Sequence, residues 1–350
     1  MNHCPLGLLM VVLGGVLASG CSHSSFRVNQ GRQPTMPSEL AADFAYTHPA
    51  ELTTRISVLE TKPEYQIKRV SLQVWDQQFN SNRWIELDYY DLVDNSKPTP
   101  VILVLPMLGG GYALERHFAN YFATRGYASI IVRRDKRSKG AGVNDLNWLF
   151  RDMVIDHKRV IDWVETQSDL DAKRLGIFGI SMGGIKGALL LPLENRIRAA
   201  ALGLTGGDLP YIMAHSTEPG VAKRREQELK DRNMTLEECE AKLREILKFD
   251  PMKYADYVDP SKVLLVLARY DTVVPIEKGL ELKKKMGNPE TIMLPAGHYS
   301  AVLSIPYIKS QSFDFFEKHF AEPATTTTKK KKKNGGKTGS EMTRAQTETR

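Results

Sequence analysis

Cysteine is scarce in this 350-residue chain: Cys4, Cys21 and Cys239 are the only three, with no CxxC pair and no Cys/His cluster at zinc-ligand spacing. A disulfide framework is thereby excluded. Positive charge is scarce where nucleic acid would need it. The chain carries 48 Lys and Arg against 41 Asp and Glu, but its last thirty residues hold six Lys and two Arg against three Glu. That tail supplies +5 of the net +7, so the other residues share only +2, too little for the basic footprint of a nucleic-acid binder. Long apolar runs are also missing. Residues 1–20 contain no Asp, Glu, Lys or Arg, yet the apolar stretch 6–17 covers only twelve positions, too short to cross a bilayer. No internal repeat is evident. What is present is the composition of a globular protein, 42% hydrophobic and 25% charged, with enough apolar residues for a sizeable core.

Residues 1–20 have the form of a processing segment: an apolar core, then the small residues Ala18, Ser19 and Gly20, then Cys21. The string Leu17-Ala18-Ser19-Gly20-Cys21 resembles a bacterial lipobox. The resemblance implies a lipoprotein signal peptide over 1–20, acylation of Cys21, and attachment to a membrane by acyl chains that contribute about 0.8 kcal/mol per buried CH₂. Ser22 in the following position resembles the pattern of lipoproteins passed on to the outer membrane, which implies a cell-envelope location facing the periplasm. Residues 21–44, with Pro34 and Pro37, read as a polar tether. At the far end, apolar periodicity is lost over 323–350, where four Thr, five Lys and Gly335-Gly336 follow one another; this is the composition of a disordered basic tail.

Between these ends the period of the sequence predicts a fold. Residues 65–75 and 83–92 alternate as half-buried strands around a turn-rich 79–82, an antiparallel hairpin. Residues 101–105, Val-Ile-Leu-Val-Leu, form a continuous apolar run, as a strand covered on both faces requires. Helices and strands then alternate: helix 112–124, strand 127–132, helix 145–166, strand 174–180, helix 182–191, strand 198–204. After an interruption come strand 262–267, helix 276–286, strand 291–294 and helix 306–320. This alternation predicts an α/β domain over 45–322, with a mostly parallel central sheet flanked by helices. The interruption is too long for a plain loop. It carries a capping-box signature at Thr235 to Glu238 and apolar residues at helical spacing, so it reads as a small helical cap over about 207–257, with Cys239 on its apolar face.

Gly179-Ile180-Ser181-Met182-Gly183 is a G-x-S-x-G, a pattern that chance supplies in roughly one chain in ten at ordinary glycine content. Its context is what carries information: it ends an apolar strand and opens a helix rich in small residues, the setting of a nucleophile elbow. A serine hydroxyl needs an adjacent base, and the base needs an orienting acid. In the order Ser, acid, His, the histidine is His298, in Pro295-Ala296-Gly297-His298 just past a strand; His319 falls in an amphipathic terminal helix instead. The acid is Asp271, which follows the strand 262–267, whereas Asp135 stands in the wrong chain order. An oxyanion needs two preorganised N–H donors, worth ~3–4 kcal/mol each. One is the backbone of Met182; the other comes from the loop 106–111, where Leu108 is preferred to Met107. Gly109, Gly110 and Gly111 of that loop do not read as a phosphate loop, since neither Gly-x-Gly-x-x-Gly nor Gly-Lys-Ser/Thr occurs there.

Taken together, these residues resemble the α/β-hydrolase superfamily over about 65–320, and the segments 271–275 and 297–298 are similar to its dienelactone-hydrolase and acyl-peptidase branch. The usual His-Gly at the start of the oxyanion loop is replaced by Pro106-Met107. The resemblance implies a serine hydrolase that cleaves a carboxylic ester or thioester of a small-molecule acyl substrate through an acyl-enzyme, with no metal or organic cofactor. Two alternatives stand beside it: a serine peptidase on short peptides, and a non-catalytic envelope lipoprotein that uses the fold for binding.

Overall fold

The computed structural model describes residues 22–24, 34–48 and 52–321, apart from positions 77, 95, 110 and 139–140. The expected signal segment 1–20, the expected acylation site Cys21 and the Lys-rich stretch 323–350 lie outside the described residues.

The chain opens with β1 (Ser22–Ser24), α1 (Ser38–Ala42) and β2 (Thr54–Thr61), followed by the hairpin β3 (Tyr65–Asp76) and β4 (Ser81–Leu92). Next come β5 (Thr99–Leu105), α2 (Ala113–Ala123), β6 (Ala128–Val132), α3 (Leu146–Thr166), β7 (Leu170–Ile180), α4 (Met182–Leu190) and β8 (Ala199–Gly203). The insertion that follows holds α5 (Leu209–His215), α6 (Pro219–Arg232), α7 (Leu236–Ile246) and α8 (Pro251–Tyr254). The fold closes with β9 (Val263–Ala268), α9 (Ile276–Lys285), β10 (Glu290–Leu294) and α10 (Ile305–Phe320). It is an α/β-hydrolase fold.

All these strands lie in one sheet of order β1-β10-β9-β8-β7-β5-β6-β4-β3-β2. The run from β10 to β6 is parallel, while β1 and the β4-β3-β2 side pair antiparallel. Burial follows the two-residue period of a strand. Val101, Leu103 and Leu105 of β5 point into one core, with α3 and α4, and Ile102 and Val104 into the other, with α2 and α10. Chain order reverses beside β5: β6 lies on one side of it and β7 on the other. In an open parallel sheet the crevice beyond the carboxyl ends of strands at such a reversal is where ligands bind. The turns after β5 and β7 border that crevice.

The cap is helical as expected. Its capping box is complete: the Thr235 hydroxyl accepts from the Glu238 N–H at 3.2 Å, and the Glu238 carboxylate accepts from the Thr235 N–H at 2.8 Å. Cys239 packs partly buried against the core, and burial pushes its thiol up, away from thiolate chemistry.

The expected tether needs correction. Residues 38–42 are helical, and Phe44 is 1% exposed, its ring 4.9 Å from that of Phe249 and 5.8 Å from that of Tyr254. The Tyr46 hydroxyl donates to Asp162 at 2.7 Å and the Arg151 guanidinium to the Asp43 carbonyl at 2.8 Å. An aromatic ring in a polar, proline-containing stretch gains more from burial than the segment loses by ordering. Phe44→Ala is expected to destabilise the folded chain by about 3–5 kcal/mol, as a lower midpoint in chemical denaturation. A midpoint like that of the unsubstituted chain would show that this segment does not brace the core.

Candidate active site

Ser181 occupies the turn between β7 and α4 with φ 57° and ψ −124°, a conformation that a side-chain-bearing residue adopts at a cost of order 1–3 kcal/mol. Its neighbours hold it there: the Ser181 N–H donates to the Gly203 carbonyl at 2.9 Å, and its own carbonyl accepts from the Ile185 N–H at 3.0 Å. The flanking glycines are required by space. A Cβ on Gly179 would collide with the Gly183 carbonyl, and one on Gly183 with the carbonyl of Leu105. The elbow can therefore be tight enough to lift the serine hydroxyl above the sheet only with bare backbone on both sides.

Asp271 and His298 come from the turns after β9 and β10, at the same end of the sheet. The Asp271 carboxylate is 2% exposed, and its two oxygens have separate duties. Oδ1 accepts from the N–H groups of Val273 and Val274, both at 2.9 Å, while Oδ2 stands 2.8 Å from His298 Nδ1. Because a carboxylate only accepts, the proton of the imidazole sits on Nδ1. That leaves the Nε2 lone pair for the Ser181 hydroxyl, 3.0 Å away. The His298 loop is fixed by bonds from the Tyr270 N–H to the Ala296 carbonyl at 2.9 Å and from the Ala301 N–H to the Gly297 carbonyl at 3.1 Å.

The structure thus brings Ser181, His298 and Asp271 into one hydrogen-bonded row. Two other residues weighed from sequence lie elsewhere. His319 bonds the carbonyls of Phe315 and Ser261, and Asp135 is engaged by the Arg137 guanidinium.

Met182 is the first residue of α4, so its N–H has no acceptor within the helix. In the loop after β5 the Met107 N–H is occupied, donating to the buried Glu115 at 2.8 Å. The Leu108 N–H makes no hydrogen bond among the described residues, and the residue is 55% exposed. Tyr270 and Tyr299, 65% and 62% exposed, flank the acid and the base.

Two features were not foreseen in the sequence. The entry to the cap is bonded to the acid loop: the Ser216 hydroxyl donates to the Val273 carbonyl at 2.6 Å, and the Thr217 N–H to the Thr272 carbonyl at 3.0 Å. Charged side chains also gather beneath the loop after β5, among them Lys186 of α4. Desolvation pushes its ammonium down to about 8, the Arg134 charge adds to this and Glu115 opposes it. The available signal was a lone lysine in an otherwise apolar helix. Among the described residues no group of three His, Cys, Asp or Glu side chains could hold a metal ion, and no helix is long and apolar enough to cross a membrane.

The sequence model of the X-Pro dipeptidyl-peptidase (S15) family matches residues 41–239. No curated protein matches the chain in sequence. Among solved structures, an acetyl xylan esterase from Paenibacillus sp. R4 is 18% identical, covering 80% of this chain and 92% of its own, with a TM-score of 0.62. Acetyl xylan esterase 1 from Thermoanaerobacterium sp. JW/SL YS485 is 14% identical, over 78% and 89%, with a TM-score of 0.59. A CE15 glucuronoyl esterase from Teredinibacter turnerae T7901 is 12% identical, over 81% and 84%, with a TM-score of 0.54. At such identities the likeness is one of fold.

Proposed function

The chain belongs to the X-Pro dipeptidyl-peptidase (S15) family, whose members are serine hydrolases of the α/β-hydrolase type, and from this we propose that it hydrolyses carboxylic esters of small acyl substrates at Ser181. The observation that carries the reading is the row of hydrogen bonds from Ser181 Oγ through the His298 ring to Asp271, at 3.0 and 2.8 Å. In the proposed course the Ser181 oxygen attacks the ester carbonyl carbon as its proton passes to His298 Nε2. Asp271 steadies the imidazolium that results. The carbonyl oxygen becomes an oxyanion facing the N–H groups of Met182 and Leu108. When the tetrahedral intermediate collapses, the bond to the alkoxy oxygen breaks and His298 returns the proton to the departing alcohol. Water, deprotonated by the same Nε2, then resolves the acyl-enzyme and frees Ser181.

Esters are favoured over peptides because solved structures alike in fold, over four-fifths of the chain or nearly so, include esterases that act on acylated or esterified sugars by their names. The family match supports a second reading, cleavage after an X-Pro dipeptide. Comparing nitrophenyl acetate and butyrate with a Gly-Pro nitroanilide separates them. The expected result is a kcat/KM higher on the esters by about a hundredfold or more, ~3 kcal/mol of transition-state preference. Anilide turnover equal to or above ester turnover would establish the peptidase reading, and no turnover of either would favour a binding role.

A further inference from the structure

Loop residues have no ladder or helix to satisfy their backbone groups, so a loop that must stay still needs partners from elsewhere. Three charged side chains from three separate parts of the chain supply them to Pro106 and Met107. Glu115 of α2, 4% exposed, accepts the Met107 N–H at 2.8 Å. Arg134, just past β6, donates to the Met107 carbonyl at 3.0 Å. Lys186 of α4 donates its ammonium to the Pro106 carbonyl at 3.1 Å. The three belong together: an Arg134 guanidinium nitrogen lies 4.0 Å from the Glu115 carboxylate. Arg134 is held in turn by Tyr112, whose hydroxyl accepts its backbone N–H at 2.9 Å and whose ring lies 4.1 Å beneath its guanidinium. The buried His157 of α3 feels the Lys186 charge: burial above all, and to a smaller degree that charge, push the imidazole down to about 4 against the opposing bond to the Met153 carbonyl, which keeps it neutral.

An ammonium placed in an apolar helix is costly to desolvate, and a helix at this position would pack as well with an apolar side chain. What the lysine gains there is a bond to the first residue of the loop that follows β5. That loop lacks the His-Gly start common in the superfamily, and the charged groups take hold of its backbone at the substituted positions. We propose that Glu115, Arg134 and Lys186 are positioning residues that clamp Pro106 and Met107 from below, so that the Leu108 N–H is fixed where the oxyanion develops. The inference rests on the Ser181 hydrolase reading. An oxyanion donor counts only while it is preorganised, and a displacement of about 1 Å at a reacting group costs about 10²-fold in rate.

The test uses the full chain and four substitutions. Lys186→Met and Glu115→Leu are expected to lower kcat on a short nitrophenyl ester by about 10- to 100-fold while KM moves less than about threefold, the pattern of a contact made only in the transition state. The inhibition constant of a trifluoromethyl ketone, whose serine adduct carries the same oxyanion, is expected to rise by the factor by which kcat/KM falls. Glu115→Gln, whose amide carbonyl still accepts the Met107 N–H, is expected to stay within about threefold of the unsubstituted enzyme. Should the first two fail to fold, Arg134→Met at a half-buried position reads the same quantity. Folded variants with unchanged kcat, or a fall in kcat without a matching change in ketone affinity, would overturn the clamp. Reaction of the unsubstituted chain with a fluorophosphonate keeps the two readings apart. If it labels and the variants label just as fast, the clamp fails and the hydrolase stands; if it does not label, both fail.

Discussion

Ser181→Ala is expected to lower kcat for ester hydrolysis by about 10⁶, to the level supplied by binding and the oxyanion donors alone. The size follows from geometry. In the proposed course Ser181 forms the covalent intermediate, and among the described residues no second hydroxyl bonds to His298 Nε2 to replace it. The substitution adds no volume and leaves the strained turn held by the Gly203 and Ile185 bonds, so the chain is expected to fold as before. His298→Ala should cost nearly as much, and the double substitution little more than either, because the two act as a unit. Initial rates on nitrophenyl butyrate, with circular dichroism as a control on folding, measure this. A loss under a hundredfold in a folded Ser181→Ala chain would mean that another group performs the attack.

Asp271→Asn is expected to lower kcat by about 10⁴, with KM little changed. The reason lies in how the carboxylate is shared. Oδ1 is held by two N–H donors, from Val273 and Val274, so the carbonyl oxygen of an asparagine must occupy that side. Its NH₂ group then faces His298 Nδ1, where a proton now stands. Two donors cannot face each other, so the imidazole shifts its proton to Nε2 and the lone pair that should accept from Ser181 is lost. The effect is thus one of tautomer as well as charge. Asp271→Ala removes the charge without imposing the wrong tautomer and is expected to be no worse than the asparagine variant. An asparagine variant within tenfold of the unsubstituted chain would contradict this account of the acid.

Much of this was legible because the informative residues announce themselves locally. The run Val101 to Leu105 could only be a strand covered on both faces, and in the structure every one of those residues is buried. The glycines around Ser181 were legible because no other residue fits beside the Gly183 and Leu105 carbonyls. Asp271 and His298 could be found because chain order and strand ends restrict the choices. The misses have a common cause in long-range contacts. β2 is exposed at every position and owes its form to one ladder with β3, so burial imposes no pattern on its side chains. Phe44 looked like part of a tether because Phe249 and Tyr254, its partners, lie some two hundred residues away. Glu115, Arg134 and Lys186 gave no motif, since they lie far apart in the chain, on α2, after β6 and on α4, and meet only once the sheet has formed.

Ester hydrolysis by this site requires an activated Ser181, and the most direct measurement is exposure of the folded protein to a fluorophosphonate followed by intact mass and peptide mapping. The expected result is a single phosphonyl adduct, on the peptide carrying Ser181, absent from Ser181→Ala and strongly slowed in His298→Ala. No adduct on the folded chain, or an adduct that forms on Ser181 at the same rate without His298, would contradict it.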